Sequence, residues 1–220
     1  MSSDLPRQPI VILISGRGSN MRALIEQSRA APYRVVKVLS DKAAAAGLET
    51  ARNLGIPAQA VAGIPGSARA AFEHELAAAV RGCSPRLIVL AGFMRILSAQ
   101  FIAEYPGSIL NIHPSLLPKY PGLHTHRRVL EARETEHGAT VHFVTEELDA
   151  GPAVIQARVA VTPHDDEASL AARVQVQEHR IYPLAVRWFC EGRLRCEAGQ
   201  AWLDGKALSA PVQLEDNHDC

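Results

Sequence analysis

The sequence predicts an α/β protein built on one doubly wound, mostly parallel sheet with helices on both faces. Short apolar runs alternate with stretches of helical spacing along most of the 220 residues, a pattern typical of parallel strands joined by crossover helices. Two runs, at 10–14 and 87–91, are apolar at every position, as expected of strands buried on both faces. No repeat or change of composition marks a second domain.

The first predicted unit is a strand at 10–14, a glycine-rich turn and a helix at 21–30. In that helix Met21, Leu24 and Ile25 have the spacing of one buried face. The other predicted strands are 35–39, 58–61, 87–91, 109–112, 139–144 and 153–161. The other predicted helices are 45–54, 67–81, 98–105, 126–134 and 165–190.

Two of these helices carry further signals. Ser67 can cap the helix at 67–81. The predicted inner face of that helix consists of Ala71, Phe72, Leu76 and Val80. Pro183 is expected to kink the last helix or split it in two, because proline lacks the N–H that continues a helix.

Residues 193–208 contain a turn signal at Asp204 and Gly205, which predicts a small hairpin at the edge of the sheet. We therefore expect one domain at 10–208. The flanking segments, 1–9 and 209–220, are expected to be flexible.

The composition and charge of the chain disfavour several classes of function. Lys plus Arg and Asp plus Glu both number 23, so the formal net charge is zero; this disfavours a nucleic-acid partner. No apolar run approaches the roughly 20 residues of a membrane span, and residues 1–9 lack the apolar core of a signal peptide. The cysteines have no metal-ligand spacing, so we expect reduced thiols in a cytoplasmic protein. They are Cys83, Cys190, Cys196 and Cys220.

Asn111 and His113 interrupt an apolar run at the end of a predicted strand. They lie two positions apart, so their side chains point to the same face. Pro114, Pro118 and Pro121 then exclude a helix or a paired strand and predict a stiff loop. An amide and an imidazole are thus expected side by side at the carboxyl edge of the sheet, where open α/β sheets bind ligands. The alternative is a turn former beside a hydrogen-bonded core histidine.

The turn at residues 15–20 is a candidate phosphate site. Gly16 and Gly18 permit close approach of a ligand, and the following helix directs free N–H groups toward it. The turn lacks the ending of a nucleoside triphosphate loop. A dinucleotide site remains an alternative because Asp41 lies where a ribose-binding acid is expected, but Met21 occupies the third glycine position of that fingerprint. A tight turn without a ligand is the other alternative.

Four blocks occur together in this chain: residues 16–20, 91–97, 111–118 and 137–151. In combination they make the sequence resemble the phosphoribosylglycinamide formyltransferases, a folate-dependent formyltransferase family with a Rossmann-like fold. The resemblance extends from about Ile10 to Gly205. It implies transfer of a formyl group from 10-formyltetrahydrofolate, as co-substrate, to the amine of glycinamide ribonucleotide in purine biosynthesis, without a metal.

The resemblance also implies roles for individual residues. The catalytic positions are Asn111, His113 and Asp149. The phosphate-binding positions are Gly18, Ser19 and Asn20, and those for the ribose and glycinamide are Gln175 and Glu178. The folate-binding positions are Arg69, Met94, Arg95, Ile96 and Leu97, together with Asn111. Thr140 is a supporting position expected to orient a water.

These side chains suit formyl transfer to an amine, which passes through a tetrahedral intermediate with a negatively charged oxygen. The Asn111 amide can donate to that oxygen and cannot lose its donor by titrating, and protonated His113 can donate from a second direction. Asp149 can orient His113 and keep it protonated, and a bridging water can relay the proton from the amine to the leaving folate nitrogen.

Structural alternatives exist for several of these residues. Asp149 lies in an acidic loop that could be a solvated turn. Gln175 and Glu178 are three apart and share a helix face, as many solvated pairs do. Phe93, Met94 and Ile96 could belong to the core.

The remaining histidines are expected to have structural roles. His124 and His126 have a spacing that resembles two metal-binding histidines, but no third ligand accompanies them. His137 and His142 are predicted to be structural residues of a strand.

Three other functions compete with the leading hypothesis. A 10-formyltetrahydrofolate hydrolase shares the catalytic trio but uses water, and we disfavour it because the first strand begins at Ile10, without room for a regulatory segment. A methionyl-tRNA formyltransferase would need a basic domain after the hairpin. A dinucleotide-binding oxidoreductase rests on the glycine turn and Asp41. Only small-molecule substrates are expected as partners, for a monomer or homodimer without nucleic acid or membrane contacts.

Overall fold

The computed structural model describes residues 6–61 and 69–214. Its strands are β1 Gln8–Ile14, β2 Tyr33–Ser40, β3 Ala58–Ala60, β4 Leu87–Leu90, β5 Ile109–His113, β6 Glu136–Phe143, β7 Ala153–Ala160, β8 Leu194–Glu197, β9 Gln200–Leu203, β10 Lys206–Ala207 and β11 Val212–Leu214. Its helices are α1 Ser19–Gln27, α2 Ala46–Asn53, α3 Arg69–Arg81, α4 Ala99–Glu104, α5 Thr125–Glu131 and α6 Glu167–Cys190, with a 3₁₀ turn at Ser28–Ala30.

The main sheet has the strand order β11-β7-β6-β5-β4-β1-β2-β3. Strand β1 pairs in parallel with both β2 and β4, and β4 pairs in parallel with β5. Strand β6 is antiparallel to β5 and to β7. The order reverses at β1, so the carboxyl ends of β1 and β4 flank the crevice in which doubly wound sheets bind ligands. The predicted fold class is confirmed.

Both faces of this sheet are covered by packed side chains. Along β1, Ile10, Ile12 and Ile14 belong to one buried cluster, which also contains residues of α1, α2, α5 and α6. The alternate residues Val11 and Leu13 belong to a second cluster, formed with α3 and α4. Alternation along a strand thus divides the apolar run between two layers, which explains why every position in it is apolar.

Helix α6 is continuous through Pro183, so the predicted split does not occur. A proline removes the donor for the carbonyl four residues earlier, here that of His179. That carbonyl instead accepts a hydrogen bond from the side-chain amide of Gln27, at 3.2 Å. A tertiary contact therefore replaces the missing helical bond. None of the described helices is both long and apolar enough to cross a membrane.

The inner face of α3 differs slightly from the prediction. Ala71 is exposed and Ala77 is buried in its place, beside Phe72, Leu76 and Val80. The predicted cap, Ser67, lies outside the described residues.

The ends of the chain also differ from expectation. Strand β1 starts at Gln8, two residues before the expected domain start. Within the segment expected to be a flexible tail, β11 pairs in parallel with β7, and Val212 and Leu214 pack against the core. The predicted hairpin is present as a separate antiparallel sheet of order β10-β9-β8, rather than at the edge of the main sheet.

Candidate active site

A cavity of about 680 Å³ opens at the carboxyl ends of β1, β4 and β5. Its wall combines the predicted phosphate turn, the predicted folate-binding segment at 94–97 (the folate edge), the predicted catalytic trio and two residues of α6. These are Gly18, Ser19, Asn20, Met94, Arg95, Ile96, Leu97, Asn111, His113, Asp149, Gln175 and Glu178. Residues separated by more than 150 positions in the chain are thus brought into one pocket by the sheet topology.

His113 and Asp149 form a buried pair. The Nδ1 atom of His113 lies 3.3 Å from Oδ2 of Asp149, and both side chains are 7% exposed. The same Oδ2 accepts a hydrogen bond from the backbone N–H of Gly122 at 2.8 Å. Asp149 has a left-handed backbone, with φ of 53°, an uncommon conformation for a residue other than glycine. The interpretation of Asp149 as part of a solvated turn is therefore wrong, because its carboxylate is enclosed and bonded.

The other ring nitrogen of His113, Nε2, lies 2.9 Å from the backbone oxygen of Tyr120. A carbonyl oxygen only accepts, so Nε2 must carry a proton in this contact. An ionised carboxylate also only accepts, so both nitrogens have a partner for an N–H. Both ring nitrogens of His113 are therefore occupied by protein partners, with no donor left over for a substrate in this arrangement.

Asn111 is oriented by His142. Its Nδ2 lies 3.1 Å from Nε2 of His142, the residue directly opposite it on β6. The Nδ1 of His142 lies 2.9 Å from the Phe143 oxygen and therefore carries the ring proton. Burial lowers the pKa of His142 and keeps the ring neutral, so its Nε2 accepts from Asn111. The second amide N–H of Asn111 has no protein acceptor among the described residues, and Asn111 lines the cavity.

The phosphate turn is bonded to α6. The side-chain nitrogen of Gln175 donates to Ser19 Oγ at 2.9 Å, and that of Asn20 donates to Glu178 Oε2 at 2.8 Å. Burial raises the pKa of Glu178. Gly18 has φ of 75° and precedes the first turn of α1, whose free N–H groups lie at the cavity. The predicted grouping of these residues around one ligand is compatible with this geometry.

The folate edge has two exposed apolar side chains beside two buried ones. Met94 and Ile96 are 60% and 57% exposed, whereas Phe93 and Leu97 are buried. Met94 and Ile96 are therefore not core residues. Large exposed apolar groups on a cavity wall are suited to covering a flat ligand.

The two arginines assigned to folate differ in position. Arg95 lines the cavity. Arg69 donates to the backbone oxygen of Ile96 at 2.7 Å and pairs with Glu73, so it holds the edge in place. Within the described residues, Arg69 does not reach the cavity wall.

Both oxygens of the Asp41 carboxylate accept hydrogen bonds from other side chains. Asp41 is 8% exposed and its carboxylate accepts from Ser15 Oγ and from Arg95 Nε. Met21, at the third glycine position, is fully buried. An acid already paired in this way is poorly placed to bind a ribose, so the geometry disfavours a dinucleotide site.

Thr140 does not face the cavity. Its hydroxyl donates to Ser115 oxygen at 2.6 Å and accepts from Leu117 N and from Gln156 Nε2, at 3.1 and 3.0 Å. The expected role in orienting a water is therefore corrected, because a hydroxyl with three partners has no capacity left. Thr140 instead anchors the proline loop that follows His113.

His126 contacts another histidine. Its Nδ1 lies 3.0 Å from Nε2 of His137, and burial lowers the pKa values of both, that of His137 to about 4. Across residues 6–61 and 69–214, no group of three potential ligands is placed to hold a metal ion.

Sequence reasoning missed two contributors to the site. His142 was assigned a structural role, yet it fixes the amide of Asn111. Only half of the signal was present in the sequence, since Asn111 interrupts an apolar run, whereas His142 lies on a strand that also contains His137 and Thr140 and does not stand out there. Tyr120 acts through its backbone oxygen, which no pattern of side chains reveals.

The sequence and the fold have counterparts in known proteins. A family model described as formyl transferase matches residues 8–186. The phosphoribosylglycinamide formyltransferase of Escherichia coli strain K12 is 51% identical over 201 residues, which cover 90% of this chain and 95% of that protein.

Solved structures share the fold. The phosphoribosylglycinamide formyltransferase of Coxiella burnetii has a TM-score of 0.90 and 45% identity, covering 94% of this chain and 99% of that one. A formyltetrahydrofolate deformylase from Pseudomonas syringae pv. tomato has a TM-score of 0.82 and 25% identity, covering 90% of this chain and 66% of that one. The match of the family model over residues 8–186 and the likeness to the E. coli and C. burnetii proteins assign the family. This chain belongs to the phosphoribosylglycinamide formyltransferase family.

Proposed function

We propose that this protein transfers the formyl group of 10-formyltetrahydrofolate to the amine of glycinamide ribonucleotide. The observation that carries the proposal is the convergence of Asn111, His113 and Asp149 on a cavity that also contains a phosphate turn and an apolar edge. The co-substrate is consumed in the reaction, and no metal is needed for the steps assigned to these side chains.

The substrates divide the cavity between them. The ribonucleotide phosphate lies against Gly18, Ser19 and Asn20, where helix N–H groups favour an anion. Gln175 and Glu178 face the ribose and the glycinamide. These assignments are supported by the hydrogen bonds that join the turn to α6.

The folate lies against the β4 exit. Met94 and Ile96 provide apolar cover, and the backbone from Met94 to Leu97 provides hydrogen-bonding groups for a flat ring. Arg95, at the rim of the cavity, supplies positive charge for the carboxylates of the folate. Arg69, which holds the Ile96 carbonyl, contributes by shaping this edge.

The chemistry begins with attack by the neutral amine on the formyl carbon. A new C–N bond forms and the carbonyl electrons move to oxygen, where the free N–H of Asn111 stabilises the negative charge. The nitrogen then loses a proton, the folate nitrogen gains one, and the bond between that nitrogen and the formyl carbon breaks.

His113 and Asp149 manage those protons. Asp149 stabilises the imidazolium of His113 through the contact with Nδ1. Direct donation from Nε2 to the substrate oxygen requires that this N–H leave the Tyr120 carbonyl. Asn111 is thus the donor ready in this arrangement, and proton transfer by His113 with Asp149 follows release of Nε2 from the Tyr120 carbonyl.

The test is a steady-state assay of the purified protein with both substrates. Loss of 10-formyltetrahydrofolate should depend on glycinamide ribonucleotide and should be matched by formylated product. Absence of turnover with both substrates present would reject the proposal.

A 10-formyltetrahydrofolate hydrolase remains the second candidate because the deformylase of P. syringae shares the fold and water could replace the amine at the same trio. The same assay without the ribonucleotide separates the two. Formate release at the full rate in its absence would favour the hydrolase.

We further propose a cytoplasmic monomer or homodimer that binds small molecules and no nucleic acid. The zero net charge and the free state of Cys83, Cys190 and Cys196 support this. Sedimentation should give the mass of one or two chains, and a larger assembly would contradict it.

A further inference from the structure

We propose that Asp41 is a positioning residue for the folate side of the cavity, an inference that rests on the proposed function. Asp41 follows β2 and is 8% exposed. Within the described residues it is not part of the cavity wall. It therefore acts through the two groups that its carboxylate holds, Ser15 and Arg95.

The first group is the hydroxyl of Ser15, which lies directly after β1. Ser15 Oγ donates to Asp41 Oδ1 at 2.6 Å and accepts from the backbone N–H of Met94 at 2.8 Å. A hydroxyl has one proton. Because that proton goes to Asp41, a lone pair of the same oxygen is directed at Met94. Asp41 thus sets the direction in which Ser15 receives the folate edge.

The backbone strengthens this junction. The N–H of Ser15 donates to the Gly92 carbonyl at 3.1 Å, and the N–H of Ala91 donates to the Leu13 carbonyl at 2.9 Å. The end of β1 and the exit of β4 are therefore joined by several bonds, and the Ser15 hydroxyl is the last of them before the exposed segment at Met94.

The second group is the guanidinium of Arg95. Its Nε donates to Asp41 Oδ2 at 3.1 Å, and its central carbon lies 4.1 Å from the centre of the Phe72 ring. Asp41 and Phe72 together restrict a long side chain that is otherwise 43% exposed. The positive charge of Arg95 is thereby kept at the rim of the cavity.

These contacts reach only one of the two substrate regions. Ser15 is the first residue of the phosphate turn, but its side chain faces Asp41 and Met94. The phosphate-binding end of the turn is instead joined to α6 through Ser19 and Asn20. A binding edge must be held to within a fraction of an ångström by its supporting contacts. Loss of Asp41 should therefore weaken folate binding selectively.

The experiment compares Asp41→Ala, Asp41→Asn, Ser15→Ala and the double variant of Ser15→Ala with Asp41→Ala, in full steady-state kinetics. We expect Asp41→Ala to raise KM for 10-formyltetrahydrofolate about ten-fold, as for one orphaned buried hydroxyl. We expect kcat and KM for glycinamide ribonucleotide to stay within about two-fold. Lys42→Ala, at the exposed neighbouring residue, is the matched control and should leave all three constants unchanged.

Two further comparisons distinguish a positioning role of Asp41 from a general loss of structure in the variant. Asn at position 41 keeps an oxygen that can accept from Ser15, so Asp41→Asn should recover most of the folate KM. Because Asp41 directs the Ser15 hydroxyl toward Met94, adding Ser15→Ala to Asp41→Ala should cause little further loss, a non-additivity expected of groups in one network. Fluorescence titration with tetrahydrofolate should show the same order of dissociation constants.

An unchanged folate KM in Asp41→Ala would overturn the inference. So would equal losses toward both substrates, or additive losses in the double variant. Should Asp41→Ala not fold, Asp41→Asn and Ser15→Ala carry the test alone, and a folate KM in Ser15→Ala within two-fold of the unaltered protein would overturn it. Failure of the proposed function is distinct, since the unaltered chain would then show no turnover.

Discussion

The Nδ1 atom of His113 lies 3.3 Å from Oδ2 of Asp149, while the opposite nitrogen of the same ring faces a backbone carbonyl. Both neighbours accept hydrogen bonds and neither donates. Each ring nitrogen therefore has an acceptor within the protein, and Asp149 is the acidic one of the two. A substitution that removes the negative charge of Asp149 and keeps the shape of its side chain therefore tests the effect of that charge on proton transfer.

Asp149→Asn should lower kcat by roughly 10²-fold or more, in the usual range for loss of a group in acid–base catalysis, and should change the pH profile of kcat. Folding should be nearly unaffected, because the amide is similar in size. The control is Glu147→Gln, at an exposed residue of the same loop. An unchanged pH profile in Asp149→Asn would show that the carboxylate does not handle protons.

Asn111→Ala should lower kcat by about 10²-fold, the typical effect of removing one oxyanion donor. Asn111→Asp should be no more active, since it keeps the shape but replaces the donor with an acceptor. Single-turnover rates in the two variants test this. Near-normal activity in Asn111→Ala would assign the donor role to another group.

Gln175→Ala should raise KM for glycinamide ribonucleotide by about ten-fold, corresponding to one or two hydrogen bonds, because the variant loses the amide bonded to Ser19. The folate KM should not change. Val176→Ala, at a neighbouring residue that is 58% exposed, provides the control. Equal effects of the two substitutions would place Gln175 outside the substrate site.

The histidine pair of α5 and β6 predicts a pH dependence of stability. Burial lowers the pKa of His137 to about 4, whereas the ring titrates near 6.5 when unfolded. Between these values the unfolded chain binds the extra proton, so the free energy of unfolding falls as pH falls from about 6.5 to 4.

His137→Gln should remove part of this dependence, about 1–2 kcal/mol of the difference between pH 7 and 5 once solvent screening is included. Urea denaturation of both proteins at the two pH values measures it. Equal pH dependence in the two proteins would contradict the assignment of His137 as a buried neutral ring.

Local pattern was sufficient to predict much of the fold. The alternation of apolar and helical segments placed β1, β4 and β5 because each has a strong signal of its own. Where tertiary contacts decide the outcome, the sequence was less informative. Helix α6 continues through Pro183 because Gln27, over 150 residues away, satisfies a carbonyl that the proline leaves without a donor.

The site residues likewise divide into those that local pattern predicts and those that tertiary contacts place. Asn111 and His113 could be placed on one face from a two-residue spacing. The pairing of Asn111 with His142 depends on the register between β5 and β6, and the contact between Thr140 and Ser115 on the shape of a loop. Such contacts join distant segments, so a single sequence contains no direct signal for them.

The most direct measurement is the partition of the formyl group between glycinamide ribonucleotide and water by the purified protein. With both substrates present, we expect formylated ribonucleotide to account for nearly all of the 10-formyltetrahydrofolate consumed, and Asn111→Ala to slow its formation about 100-fold. Formate as the main product, or a rate of folate consumption independent of the ribonucleotide, would contradict formyl transfer to an amine at this site.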